Sequence, residues 1–255
     1  MREYLDAATF KEFILYANAA LEQNKQLINE LNVFPVPDGD TGTNMSLTMS
    51  MAAAEMQKNN LSSVGDAAER AASALLRGAR GNSGVILSLL FRGLAKRLKG
   101  NNVADSKLFA AAMSDGVEAA YKAVMKPAEG TILTVMREWS HAVRRISEKE
   151  TDFAVLLPLS LEDARKSLRE TPARMDLLAR EKVVDAGAQG FVHFLEGVVE
   201  FLGRGSLRHF SLRSTTAAPA GSHEHSHGDE MPPFRYCTEA VLHGEGLSRP
   251  GLIGG

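Results

Sequence analysis

The chain has 255 residues, 44% of them apolar and 24% charged, with a formal net charge of −2. That length and apolar share suffice for one large core, and the near-balance of charge argues against the basic surface of a dedicated nucleic-acid binder. A single cysteine, Cys237, allows no internal disulfide, and no apolar run approaches the ~20 residues that span a bilayer. The start, MREYLDAATFKEF, lacks the apolar stretch of a signal peptide, so the expectation is a soluble, cytoplasmic protein.

Helical periodicity dominates. Thr9 and Glu12 form a capping-box pattern, and Phe10, Phe13, Ile14, Ala17, Leu21, Ile28 and Leu31 then recur at helical spacing. Pro35 and Pro37 end that helix. A second helix follows Thr43, with Met45, Met49, Ala52 and Met56 on one face. Asp66 is placed to cap a third through Leu76, and a fourth carries Val85, Ile86, Leu89, Leu90 and Leu94. Asp105 opens a fifth, and the loop Lys126–Gly130 separates it from a sixth bearing Ile132, Val135, Met136 and Trp139. Residues 152–182 predict one or two helices, interrupted near Pro158 and at Thr171-Pro172. A last helix runs to Leu202. About eight helices joined by short loops, with no alternating strand pattern before residue 205, define an all-α fold class.

After residue 203 the composition turns to Ser, Thr, Ala, Pro and Gly, the signature of a flexible linker. The expected organisation is a helical domain over 1–203, a linker over 204–230 and a short strand-like piece over 231–255. The linker holds His223, His225 and His227, read as solvated. With Cys237 they could form at most an adventitious zinc site.

Chemistry concentrates in four glycine-containing loops, each opening a helix. In Asp38-Gly39-Asp40-Thr41-Gly42-Thr43-Asn44, two carboxylates two residues apart suit a hard cation such as Mg²⁺. The helix start that follows offers free backbone N–H groups to phosphate. The same residues would also serve as a solvated turn with an Asx cap. In Gly78-Ala79-Arg80-Gly81-Asn82-Ser83-Gly84, three glycines permit close approach of a ligand, though an interhelical turn needs the same residues. Gly130-Thr131-Ile132 and Asp185-Ala186-Gly187 are weaker, and helix caps explain both. In an up-and-down bundle, alternate helix ends meet on one rim. That rim would collect several helix N-termini and two carboxylates, which together suit a polyphosphate and its metal.

These four segments, N-V-F-P-V-P-D-G-D-T-G-T-N-M, G-A-R-G-N-S-G-V-I-L-S, K-P-A-E-G-T-I-L-T-V and V-V-D-A-G-A-Q-G, resemble the ATP-binding subunit of bacterial fatty acid kinase. The N-terminal domain of that family is similar to the nucleotide-binding subunit of dihydroxyacetone kinase. The resemblance covers residues ~1–203. It implies an eight-helix antiparallel barrel holding ATP and two Mg²⁺ at one end. It implies that Asp38 and Asp40 ligate metal, with Asn32 near the place of a third ligand. Thr41, Gly42, Thr43, Asn44, Ser83 and Gly84 would hold phosphates. Thr131 and Ile132 would line the nucleotide pocket, and Asp185, Ala186 and Gly187 would contact the adenosine.

Arg80 lies where it could neutralise the transferring phosphate, or be a surface arginine complementing a helix end. The implied acceptor is a fatty acid carboxylate presented by an acyl-carrying partner protein. The family continues through a middle and a C-terminal domain, through which a homodimer could form, and Phe234–Glu239 resembles the start of that middle domain. A dihydroxyacetone-type kinase subunit and a non-catalytic ATP-binding scaffold are the alternative functions.

Overall fold

The computed structural model describes residues 2–58 and 61–204. These residues lie within one compact unit, Met1–Ser211. The linker, its histidines and Cys237 fall outside them.

Eight long helices are present among the described residues: α1 (Ala7–Glu30), α2 (Thr41–Lys58), α3 (Val64–Gly78), α4 (Gly81–Leu98), α5 (Ser106–Ala123), α6 (Ile132–Ser147), α7 (Phe153–Arg169) and α10 (Ala186–Arg204). Two short ones, α8 (Thr171–Arg174) and α9 (Asp176–Glu181), lie between α7 and α10. Each long helix packs on the next in the chain, and α10 closes the ring against α1. The run is antiparallel. Two turns on along α10 from Gly190, which sits beside Ile28, Gly197 lies against the backbone of Tyr16, earlier in α1. The all-α class expected from the periodicity is the observed one. The one β feature among the described residues is an isolated bridge between Leu5 and Ala104.

Apolar stripes from all eight helices meet in one core. A relay of edge-on aromatic contacts crosses it, from Phe10 to Phe91 to Phe194, and from Phe153 to Phe109 to Trp139 to Phe191. The indole N–H of Trp139 donates to Ser160 Oγ at 3.0 Å, so the ring buries no unpaired donor. Each such ring contributes ~1.5–3 kcal/mol of burial. That is ample to override local signals.

Three expectations about helix ends change. The first helix is capped by Asp6, three residues before the expected cap Thr9. Asp6 accepts the Thr9 N–H at 2.8 Å, because a carboxylate at N-cap is the better acceptor and Ala7 and Phe10 then face the core. The third helix is capped by Ser63, which accepts the Asp66 N–H at 3.0 Å, so Asp66 sits in the first turn, where its charge complements the dipole. Pro158 does not interrupt α7, which runs unbroken through it. The carbonyl that loses a partner is that of Ala154, half-buried in the first turn.

Candidate functional site

With this topology the connections α1–α2, α3–α4, α5–α6 and α7–α10 all fall at one end of the barrel. They hold the four glycine-containing loops, and the structure brings the loops into contact. Gly81, at φ +59°, is seated so that an added Cβ would lie 2.6 Å from the Asn44 side-chain nitrogen. A Cβ on Gly187 would lie 2.6 Å from Ser83 Oγ and 3.4 Å from Ile132 Cβ. The start of α10 thus touches the starts of both α4 and α6.

The acidic turn comes first. Gly39 at φ +65° reverses the chain between Asp38, which is exposed, and Asp40, which is half-buried. Their carboxyls are within hydrogen-bond reach of each other. Partial burial, and then the charge of Asp40, push the Asp38 carboxyl above its usual range. Two acceptor-only groups held side by side suit a shared hard cation, which would remove their repulsion. Among the described residues no cluster of three or more Asp, Glu, His or Cys side chains could hold a metal. Any ion here would complete its shell with water or ligand oxygens.

The start of α2 is less open than its sequence suggests. Asn32 is buried; its Oδ1 accepts both the backbone N–H and the hydroxyl of Thr41, and its Nδ2 donates to Val36 O at 2.7 Å. Asn29 accepts the Thr43 N–H at 3.0 Å. Two first-turn donors are therefore already used, and Asn32 ties down the loop with both ends of its amide. Buried Gly42 lies against α1, where an added Cβ would be 2.1 Å from Lys25 O.

The start of α4 is the open one. Arg80 at its N-cap makes no side-chain capping bond, and Arg80, Gly81 and Asn82 are exposed. The Arg80 N–H donates to Thr48 Oγ1 at 3.1 Å, which fixes the loop to α2. Its guanidinium has no ion pair among the described residues. Half-buried Ser83 and buried Gly84 follow, with Gly84 pressed on Thr48.

The remaining site candidates are closed in. Thr131, Ile132, Asp185, Ala186 and Gly187 are all buried. Thr131 donates its hydroxyl to Ala128 O at 2.7 Å. Asp185 Oδ2 accepts from Ile132 N at 3.0 Å and Ala188 N at 2.8 Å, so one carboxylate caps two helices. Burial pushes its carboxyl up to about 6, against the pull of those two N–H groups.

Sequence reasoning missed several residues that shape this end of the barrel. Asn29, in the last turn of α1, lies three residues before Asn32, a spacing that could have drawn notice. Thr48 and Thr171 become visible only through packing, Thr171 Oγ1 accepting the Asp185 N–H at 3.1 Å. Glu129 is held by Arg137 through two bonds of 2.7 and 2.8 Å, and Arg137 also reaches the Tyr121 hydroxyl at 2.9 Å. The guanidinium holds the Glu129 carboxyl below its usual range. This network anchors the α5–α6 loop.

An eight-helix ring with glycine loops gathered at one end defines the class, and residues 35–200 match the model for the DAK2 domain. The chain belongs to the DAK2 domain family. Protein YloV of Bacillus subtilis (strain 168) is 40% identical over 243 residues, covering 93% of this chain and 44% of that protein. An uncharacterized protein of Staphylococcus aureus (strain USA300) is 41% identical over 242 residues, with the same coverage of 93% and 44%. The chain thus spans less than half the length of these relatives. In solved structures, the fold is similar to that of the dihydroxyacetone kinase of C. freundii. The native form has a TM-score of 0.60 at 18% identity, and the complex with AMP-PNP and Mg²⁺ has 0.58 at 17%; each alignment covers 76% of this chain and 34% of that one.

Proposed function

We propose that this domain binds Mg-ATP at the loop end of the barrel and transfers the γ-phosphoryl group to a fatty acid carboxylate, giving an acyl phosphate. The observation that carries the reading is the juxtaposition of the Asp38–Asp40 pair with the uncapped start of α4, through the Asn44–Gly81 contact. A cation site and an anion site adjoin, and the glycines leave room where side chains would intrude.

When bound, Mg²⁺ would neutralise phosphate oxygens and orient them. Asp38 and Asp40 hold it. Asn32 acts through Thr41 and the loop, its amide being fully engaged. Thr43, Asn44, Ser83 and the amides of Gly81 to Gly84 take the phosphates. Arg80, exposed and without an ion pair among the described residues, turns onto the transferring group. Thr131, Ile132 and Asp185 to Gly187 form the wall beneath the nucleoside. The acceptor carboxylate is already ionised and attacks phosphorus as the bond to the bridging oxygen breaks and ADP leaves. Positioning and charge then suffice without a general base. The loop end also carries exposed apolar side chains, Val36, Met125 and Leu177, which suit a protein-borne acceptor.

The test is acyl-phosphate formation, trapped with hydroxylamine, from ATP and a fatty acid on its carrier protein. Mg²⁺-dependent formation is expected. Turnover with dihydroxyacetone instead points to a hydroxyl acceptor, and ATP binding without turnover to a scaffold; either result overturns the fatty acid assignment.

A further inference from the structure

Two asparagines, Asn29 in the last turn of α1 and Asn32 just beyond its end, hold two threonines of α2, and the directions of these bonds are fixed. The Thr43 backbone N–H, a donor only, points at one end of the Asn29 amide at 3.0 Å, so that end is oxygen. The other end is then the NH₂ group, 3.0 Å from Thr43 Oγ1. An NH₂ group cannot accept, so the Thr43 oxygen receives that bond and keeps its own proton free. Thr48, one turn on, instead spends its proton on Asn44 O at 2.7 Å, as helical threonines often do.

Asn32 works in the opposite sense. Its NH₂ end is fixed by Val36 O at 2.7 Å, so its oxygen faces Thr41. That oxygen accepts both the N–H and the hydroxyl proton of Thr41. The Thr41 hydroxyl is left with lone pairs to offer, beside Asp40.

We infer that Asn29 and Asn32 impose opposite polarity on these hydroxyls: Thr43 donates to an anionic phosphate oxygen, and Thr41 presents its oxygen to the cation side of the site. Asn29 is then a positioning residue for anion binding. The inference rests on the Mg-nucleotide reading above and adds to it which hydroxyl serves which charge.

The test uses calorimetric binding of Mg²⁺–AMP-PNP, together with Mn²⁺ binding in the absence of nucleotide. Asn29→Asp keeps an acceptor for the Thr43 N–H but draws the hydroxyl proton inward. Thr43→Val removes the hydroxyl at constant shape. Each should weaken nucleotide binding about tenfold or more, the loss expected for a hydrogen bond to a charged group. The double variant should be no weaker than Asn29→Asp, because that change has already silenced the hydroxyl. Thr43→Ser should restore wild-type affinity. Thr41→Val should weaken Mn²⁺ binding, whereas Thr43→Val should leave it unchanged. Full nucleotide affinity in Thr43→Val, or additive losses in the double variant, overturns the inference alone. Absence of nucleotide binding by the wild-type chain overturns the underlying reading, and this inference with it. Thr43→Val keeps the Asn29–amide bond, so it decides the matter if Asn29→Asp does not fold.

Discussion

Asp185 accepts the backbone N–H of Ile132 at 3.0 Å, joining the starts of two helices whose residues lie 53 apart in the chain. The same oxygen caps Ala188, and the backbone N–H of Asp185 is taken by Thr171, so this buried residue ties three segments together through its side chain and its main chain. This binds the third and fourth loops of the site into one rigid block.

The burial of that carboxyl has a pH signature. Its value in the folded chain, about 6, lies above the ordinary 3.8. The folded state therefore holds the proton more tightly than the unfolded one, so the stability linked to this group is fully present below pH 3.8 and lost as pH rises through about 6. The linked change is about 3 kcal/mol at 1.36 kcal/mol per unit. Asp185→Asn, which is neutral throughout, should lack it. Urea unfolding of both chains from pH 4 to 7 should show the variant gaining on the wild type as pH rises. A constant difference across that range would contradict the assignment. Asp185→Ala should cost about 2–4 kcal/mol near pH 4, since two backbone donors lose their acceptor, and less as pH rises, because it too lacks the titration.

Much of this was legible locally. Eight helices follow from apolar periodicity because each buries one stripe in a common core, and Asp105 caps α5 as its position suggests, accepting the Leu108 N–H at 2.7 Å. What was not legible depends on packing between distant segments. The α2 start looks like an open phosphate cradle in sequence, yet Asn29, 14 residues before Thr43, takes one of its donors. Nothing near Asp185 announces Ile132 as its partner. Pro158 reads as a breaker because the cost of a missing N–H is local, while the core contacts of Leu156, Leu157 and Leu161 that outweigh it are not.

Gly187 offers a steric test of loop convergence. A methyl group there would meet Ser83 Oγ at 2.6 Å and Asp185 Oδ2 at 3.3 Å. Gly187→Ala should cost ~1–3 kcal/mol, the usual penalty of overpacking, by pushing Ser83 off α10. It should also weaken Mg²⁺–AMP-PNP binding. Thermal unfolding and calorimetry on the same sample check both effects. An unchanged melting temperature would mean that the two loops are not in contact.

Arg80 should separate chemistry from folding. It is exposed, caps nothing with its side chain and has no ion pair among the described residues, so Arg80→Gln should leave stability within about 0.5 kcal/mol of wild type. If its guanidinium meets the transferring phosphate, kcat should fall by ~10²-fold or more, as for other preorganised charge-stabilising donors. The substrate KM should change far less. Equal kcat under saturating ATP would return Arg80 to the role of an ordinary surface residue.

The acidic pair gives the last and sharpest prediction, because function and stability should pull in opposite directions. In the chain without metal, Asp38 sits against Asp40, and partial burial, then the charge of Asp40, raise its carboxyl above the usual range. Asp38→Asn removes one charge of the pair at nearly constant shape. The metal-free variant should melt at the same temperature as the wild type or above it. Its affinity for Mn²⁺ should fall at least ~10-fold, since even outer-sphere partners of a bound metal typically cost 10–100-fold when lost. The wild type should gain melting temperature as Mn²⁺ is added, by mass action on the folded state, and the variant should not over the same range. Asp40→Asn should lose Mn²⁺ in the same way. A metal titration followed by thermal unfolding reads both effects in one experiment. Equal Mn²⁺ stabilisation of wild type and both variants would remove these carboxylates as metal ligands, and with them the cation half of the proposed site.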